Sequence, residues 1–257
     1  MEPAWLTNLQ EQIKAYAGLA GESIRSPQRT VNKHQLREII KQAVDHKQDD
    51  IYNSTTIEGY AISPEEVEAV IMGKIPETNE SIEQIKNKMA IIGHANAFEF
   101  IIKQIKQDFG RPLLSEELVN ELYFQLFKPS VDANILDRFD LVGYRRVKVY
   151  IRNSRFVPPA FDKVPDLVKT FISAINGISN HLVRAILAHY FFVSIHPYPD
   201  GNGRCARLLM NYLLACSGHY WVTIPAEKRE HYFKALQSGQ LDSDVLPFTS
   251  FILSLMA

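Results

Sequence analysis

The 257-residue chain reads as an all-α protein with one small β-hairpin. Three observations predict this. Apolar residues recur at spacings of three and four along most of the chain, which is the period of an amphipathic helix. Capping residues stand where several of these patterns begin. A single segment, Tyr144 to Val157, alternates with period two and is rich in β-branched residues.

In chain order, residues 36–44 (Leu36 to Val44) carry the first clear helical spacing. Ser63-Pro64-Glu65-Glu66 supplies an N-cap serine, a proline at the first helical position and a glutamate three residues after the cap. That helix is expected to run through Val67, Val70 and Ile71 and stop near Gly73. A longer pattern starts at Ser81, passes Ile85, Met89, Ile92, Phe100 and Ile105, and ends around Gly110-Arg111-Pro112. Ser115-Glu116-Glu117-Leu118 opens another helix. In the alternating segment, Val147, Val149 and Ile151 interleave with Lys148, Tyr150 and Arg152, with Asn153-Ser154 as the turn back through Phe156-Val157. Pro158-Pro159 ends the pairing, because proline cannot donate to a ladder. A lone hairpin is marginal in water, so this one is expected to lie on the helical body. Helices resume near Val164-Pro165-Asp166. The stretch His181 to Phe192 is apolar nearly all round, which predicts a central buried helix. A helix from about Gly203 to Ala215 and two C-terminal helices complete the series.

Composition sets limits on function. Hydrophobic residues make up 46% and charged residues 22%, and 28 basic side chains stand against 29 acidic ones. Such a balance gives no bulk reason to expect nucleic acid or an anionic membrane as partner. No run approaches the ~18 apolar residues of a spanning helix. The start, Met1-Glu2-Pro3-Ala4-Trp5, lacks the basic and apolar regions of a secretory signal. Cys205 and Cys216 fall in one expected helix, about 16 Å apart along its axis, too far for a disulfide. Free thiols without an export signal lead to the expectation of a cytoplasmic protein.

The chemistry concentrates in His196-Pro197-Tyr198-Pro199-Asp200-Gly201-Asn202-Gly203-Arg204-Cys205-Ala206-Arg207. Two glycines flanking an asparagine permit backbone conformations that turn successive N–H groups into one concavity, an anion-binding nest. The helix that follows adds its unpaired N–H groups and partial positive charge. Arg204 and Arg207 are three apart and face one site, where two guanidinium forks suit a polyphosphate. Asp200 beside phosphate is placed to hold Mg²⁺, which takes one or two carboxylates plus phosphate oxygens. His196 is the nearby side chain able to accept a proton near neutrality. Taken singly, Asp200 reads equally as a helix cap, and His196 with Asp200 as two ligands of a structural metal. Together with both arginines in register, they point to attack of a hydroxyl on phosphorus.

This stretch resembles the signature of the Fic family, H-x-F-x-[D/E]-G-N-G-R-x-x-R, with Tyr198 where Phe is usual. The resemblance implies a Fic helical core over residues 81–257 and an extension over residues 1–80. It implies an enzyme that transfers AMP from ATP to a Ser, Thr or Tyr hydroxyl of a target protein, releasing pyrophosphate. His196 would be the base and Asp200 the Mg²⁺ ligand. Gly201, Asn202 and Gly203 would form the anion hole, with Asn202 also near the α-phosphate, and Arg204 and Arg207 would hold the β- and γ-phosphates. Tyr232 and Phe233 sit where the family places aromatics near adenine, and Gln240 where a polar residue contacts the base. The hairpin resembles the family's flap, in which Val149, Tyr150, Ile151, Arg152, Asn153, Ser154, Arg155 and Phe156 would dock the target's main chain as an added strand.

Ser54-Thr55-Thr56-Ile57-Glu58-Gly59 resembles the family's inhibitory motif, [S/T]-x-x-x-E-[G/N], with Ser54, Glu58 and Gly59 at its defined positions. The resemblance implies that Glu58 pairs with Arg207 and denies the γ-phosphate its clamp. Two other readings stay open: a hydrolase of the same fold that removes AMP with Glu58, and a nucleotide-sensing module without turnover. Self-modification and a homodimer are likewise compatible with the sequence.

Overall fold

The computed structural model describes residues 8–24, 31–74, 81–151 and 154–256. Among them lie eleven α-helices: α1 (Leu9–Ser23), α2 (Lys33–Asp45), α3 (Lys47–Ile57), α4 (Pro64–Ile71), α5 (Ile82–Asp108), α6 (Glu116–Asp132), α7 (Val164–Asn176), α8 (His181–Ile195), α9 (Asn202–Cys216), α10 (Arg229–Asp242) and α11 (Leu246–Ser254). The expected caps are present. Ser63 and Ser81 each form a reciprocal capping box, with Glu66 and Gln84 respectively, and Ser115 caps α6.

Helix α8 is central, as its all-round apolar sequence predicts. Every residue from Val183 to Ile195 is buried, against α9 on one side and α7 and α1 on others. Helix α5 lies along α6 and α9. The approach to α6 is close enough that a Cβ on Gly93 would collide with the Leu126 carbonyl. Leu9, Ile13, Tyr16 and Ala20 of α1 join the same core as α8 and α9.

Helix α3 is tied into the body by a buried carboxylate. Asp50 accepts hydrogen bonds from Trp221 Nε1 (2.9 Å) and Thr223 Oγ1 (3.1 Å), and lies 3.1 Å from His94 Nε2 on α5. Burial holds the His94 pKa below its ordinary value, against the pull of Asp50, so the neutral ring donates to the carboxylate.

The sequence predicts strands in the segment from Tyr144 to Val157, yet none of the described residues forms one. Alternation can produce a strand only where a ladder partner exists. Val147 and Tyr150 instead stand exposed, and a main-chain bond within the segment, from the Ser154 N–H to the Ile151 carbonyl, is a local turn. Arg152 and Asn153 lie outside the described residues. Cys205 and Cys216 are both buried and free on α9.

Candidate active site

The loop between α8 and α9 is shaped by two left-handed residues. Helix α8 ends at His196, whose φ of 54° and ψ of 59° turn the chain out of the helix. Gly201, at φ 74°, turns it into α9, where a Cβ would strike the Phe127 ring. Between them Asn202 closes the loop. Its carboxamide accepts from the Tyr198 N–H (2.9 Å) and donates to the Tyr198 carbonyl (2.8 Å). That side chain therefore clamps the loop across both polar groups of the Tyr198 main chain. Tyr198 is the anchor beneath. Its ring stacks on Tyr123 at 3.8 Å and its hydroxyl donates to Asn120 Oδ1 at 2.7 Å. The extra hydroxyl relative to Phe thus has its partner, which is the condition for burying a tyrosine.

The N–H groups of the first turn of α9 have no intrahelical acceptor, and they point to the same side as two buried arginines. The Arg204 guanidinium is sandwiched between the rings of Tyr60 (5.2 Å) and Phe127 (4.9 Å). Its Nη2 lies 3.8 Å from Asp200 Oδ2 and 3.4 Å from the Tyr60 hydroxyl. Its Nε and Nη1 find no hydrogen-bond partner among the described residues, although both are buried. Buried unpaired donors on a cation are costly, so this guanidinium is poised for an anion.

Arg207 is occupied. Its Nε donates to Ser54 Oγ (2.8 Å), and its Nη2 donates both to the Ser54 carbonyl (2.8 Å) and to Glu58 Oε1 (2.7 Å). Burial opposes the Arg207 charge, yet Glu58 and Tyr232 beside it hold its pKa above the ordinary value. Glu58 is the C-cap of α3, so Ser54 and Glu58 present one face, as their spacing predicts. Gly59, at φ 95°, turns the chain away after them. The Glu58 carboxylate also lies against Gly203, where a Cβ would collide with Oε1. It thereby occupies the N-terminal end of α9 itself.

His196 Nδ1 lies 3.3 Å from the Val193 carbonyl. A proton there leaves Nε2 with its lone pair, the form a base requires. The surrounding protein disfavours the charged ring: burial, reinforced by Arg145, pushes its pKa down to about 4 against the opposing pull of the Val193 carbonyl, Glu58 and Asp200. Asp200 is exposed and accepts from the Gly201 N–H at 2.6 Å. Among the described residues no group of three or more His, Cys, Asp or Glu could hold a metal. A single open carboxylate beside an anion site suits Mg²⁺, which draws its remaining ligands from phosphate and water.

His196, Asp200, Gly201, Asn202, Gly203 and Glu58 line one cleft of about 540 Å³, a size typical of small-molecule sites (~300–1,000 Å³). Tyr232, Phe233 and Gln240 line the same cleft, as do Tyr150, Ile151 and Ser154. The Tyr232 hydroxyl lies between Arg207 Nη1 (3.5 Å) and Nε2 of buried His189 (3.0 Å). Gln240 donates to Ser194 Oγ (3.1 Å). Val149 is partly buried, Arg155 exposed and Phe156 buried, and none of the three lines the cleft. The sequence did not single out Tyr60, Arg145, His189 or Arg229, the last of which lines the cleft and donates from Nε to the Ile57 carbonyl at 2.8 Å. Of these only Tyr60 carried a usable signal, because it directly follows Glu58-Gly59.

Buried arginines and a glycine loop beside one cleft make up the candidate site of an all-helical protein. Residues 113–214 match the Fic/DOC family. It is 30% identical over 211 residues to a protein adenylyltransferase Fic of Culex quinquefasciatus, a match that takes in 79% of this chain and 38% of that protein. With the protein adenylyltransferase fic-1 of Caenorhabditis elegans the identity is 28% over 209 residues, again 79% of this chain and 38% of the relative. The chain thus spans about two fifths of the length of the curated relatives it matches. In three dimensions it superposes on C. elegans Fic-1 with a TM-score of 0.71 at 22% identity, covering 97% of this chain and 70% of that one. A Fic domain-containing signaling protein of Bacteroides thetaiotaomicron gives a TM-score of 0.70 at 21% identity, with 96% and 92% covered. No described helix is long and apolar enough to cross a membrane.

Proposed function

We propose that the chain transfers AMP from ATP to a hydroxyl of a protein, on its own surface or on a docked target. The observation that carries this reading is the meeting, in one cleft, of His196 with the glycine-flanked start of α9, behind which lies the buried Arg204 guanidinium with two unpaired donors. The target oxygen attacks the α-phosphorus, the bond from that phosphorus to the bridging oxygen breaks, and pyrophosphate leaves. His196 Nε2 takes the hydroxyl proton. N–H groups of Gly201, Asn202 and Gly203 receive the charge that develops on the α-phosphate, and Arg204 and Arg207 hold the phosphates that depart. Asp200 would hold Mg²⁺, which neutralises charge between the phosphates. Preorganised donors of this kind supply most of the rate in phosphoryl-type transfers. Phe233, Tyr232 and Gln240 provide the base-binding end of the cleft, and residues 149–156 the edge that takes the target's main chain.

In the same reading the helices of residues 1–80 serve the core at 81–257 as a regulatory extension. Glu58 is the brake: while it holds Arg207, that guanidinium is unavailable to ATP. Because Glu58 also borders the cleft that contains His196, removal of AMP by a water positioned at Glu58 is the second reading of this site.

The experiment is labelling with α-³²P-ATP and Mg²⁺ of the parent, Glu58→Gly and Glu58→Gly/His196→Ala. Label retained in Glu58→Gly, weak in the parent and lost in the double variant is expected. No label in any variant, with ATP binding intact by calorimetry, would end the transfer reading.

A further inference from the structure

Arg145 stands at the start of the alternating segment, 3% exposed. Its guanidinium reaches three main-chain carbonyls. Nε donates to the His196 carbonyl at 2.8 Å, Nη1 to that of Val147 at 3.1 Å, and Nη2 to that of Pro159. The Arg145 N–H adds a bond to the Pro197 carbonyl at 2.9 Å. These acceptors come from three places that sequence separates: the base histidine, the entry to the 147–159 excursion and its exit.

Two physical facts make this arrangement more than packing. His196 keeps a positive φ of 54°, a conformation that a residue with a side chain holds only when its surroundings over-determine it. Arg145 fixes the peptides on both sides of Pro197 and so supplies part of that determination. The excursion itself has no ladder among the described residues, so its two ends are gathered by this fork. Burial lowers the Arg145 pKa. A buried charge of this kind is retained at a cost, and only a planar fork reaches three carbonyls in fixed directions.

We propose that Arg145 is a positioning residue: it sets the register between the segment that docks the target and the imidazole that accepts the target's proton. This rests on the proposed roles of His196 and of residues 149–156. A target strand added at the excursion is located by main-chain bonds alone. Its distance from His196 is then the distance that Arg145 fixes between the excursion's ends and the histidine's own peptide.

The test uses the full chain carrying Glu58→Gly, to which Arg145→Lys or Arg145→Gln is added. Three quantities are read: self-labelling rate from saturating α-³²P-ATP, ATP affinity by calorimetry, and the ring resonances of His196 in ¹⁵N-histidine NMR. The expected result is a fall of about tenfold to a hundredfold in rate, with ATP affinity within about twofold of the parent, since misplacement by an ångström acts on the transfer step. Arg145→Lys, which keeps the charge without the fork, should lose as much as Arg145→Gln. His196 resonances should move while those of exposed His231 stay. Unchanged rates, or a loss accounted for entirely by ATP affinity, overturn the proposal. If Arg145→Gln does not fold, Arg145→Lys decides by the same criteria. If Glu58→Gly itself gives no label, the transfer reading fails; an unshifted His196 ring would then separately overturn the positioning role.

Discussion

Glu58 Oε1 and Arg207 Nη2 lie 2.7 Å apart, while Ser54 takes the neighbouring edge of the same guanidinium through both its hydroxyl and its carbonyl. In the proposed function, inhibition and the phosphate clamp compete for this one side chain. A charge-assisted bond contributes about 1.5–3 kcal/mol, which corresponds to roughly tenfold to a hundredfold in rate. Glu58→Gly should raise labelling by that order. Ser54→Ala should raise it less, because Glu58 and the Ser54 carbonyl stay in place. Equal labelling in parent and Glu58→Gly would remove the brake from the account.

Arg204 predicts the opposite direction. Its Nε and Nη1 have no partner among the described residues, so Arg204→Gln gives up only the Nη2 contacts to the Tyr60 hydroxyl (3.4 Å) and to exposed Asp200 (3.8 Å). ATP affinity in the Glu58→Gly background should fall about tenfold to a hundredfold, the worth of charge-assisted phosphate bonds. Calorimetry reads this directly, and unchanged affinity would mean that the anion lies elsewhere.

The pH dependence has a definite sign. Burial holds the folded pKa of His196 at about 4 against an ordinary 6.5, so the imidazole is in its base form across the neutral range. Labelling by Glu58→Gly should keep its acid limb well below pH 6.5. The same shift acts on stability. The unfolded chain takes up a proton at His196 first as pH falls, so this contribution is fully present above 6.5 and is lost as pH drops toward 4. Burial lowers the pKa values of His94 and His189 too, which adds to the effect. Melting temperatures measured from pH 7 down to 4 should decline throughout that window.

Asp50 holds α3, and with it Glu58, through Trp221, Thr223 and His94. Asp50→Ala strands those donors in the interior and should cost about 1–3 kcal/mol of stability for a donor left unpaired. With Glu58 intact, labelling should nevertheless rise, since the helix that carries the brake is loosened. Chemical denaturation and α-³²P-ATP labelling of one preparation give both numbers.

Tyr198→Phe removes the bond to Asn120 and leaves the stack on Tyr123. The expected loss is about 0.5–1.5 kcal/mol of stability, with labelling in Glu58→Gly little changed. A large loss of activity would give the hydroxyl a part in the chemistry.

The motif loop was legible in sequence because its geometry is local. Gly201 at positive φ, Asn202 bonded back to Tyr198 and the arginines on the first turns of α9 all act within a dozen residues. The helices were legible for the same reason, through caps at Ser63, Ser81 and Ser115 and the unbroken apolar run of α8. Asp50, Arg145 and His189 were not. Each acquires its meaning from distant partners, 14 and 51 residues away for Arg145, 43 for His189 and up to 173 for Asp50, and nothing in its own neighbourhood distinguishes it from a surface acid or base. The alternation from Val147 to Ile151 misled in the other direction, because period two describes which side chains alternate and not whether a neighbouring strand is there to pair.

Gly203 has a genetic consequence. The missing Cβ lets the Glu58 carboxylate rest on the helix start that is also the proposed cradle for phosphate. Any side chain placed there displaces the glutamate and crowds Arg207 in the same stroke. A lineage escaping inhibition therefore gains nothing by changing position 203, and constitutively active alleles are expected at 54 and 58, on the arm that comes to the cradle and not in the cradle itself.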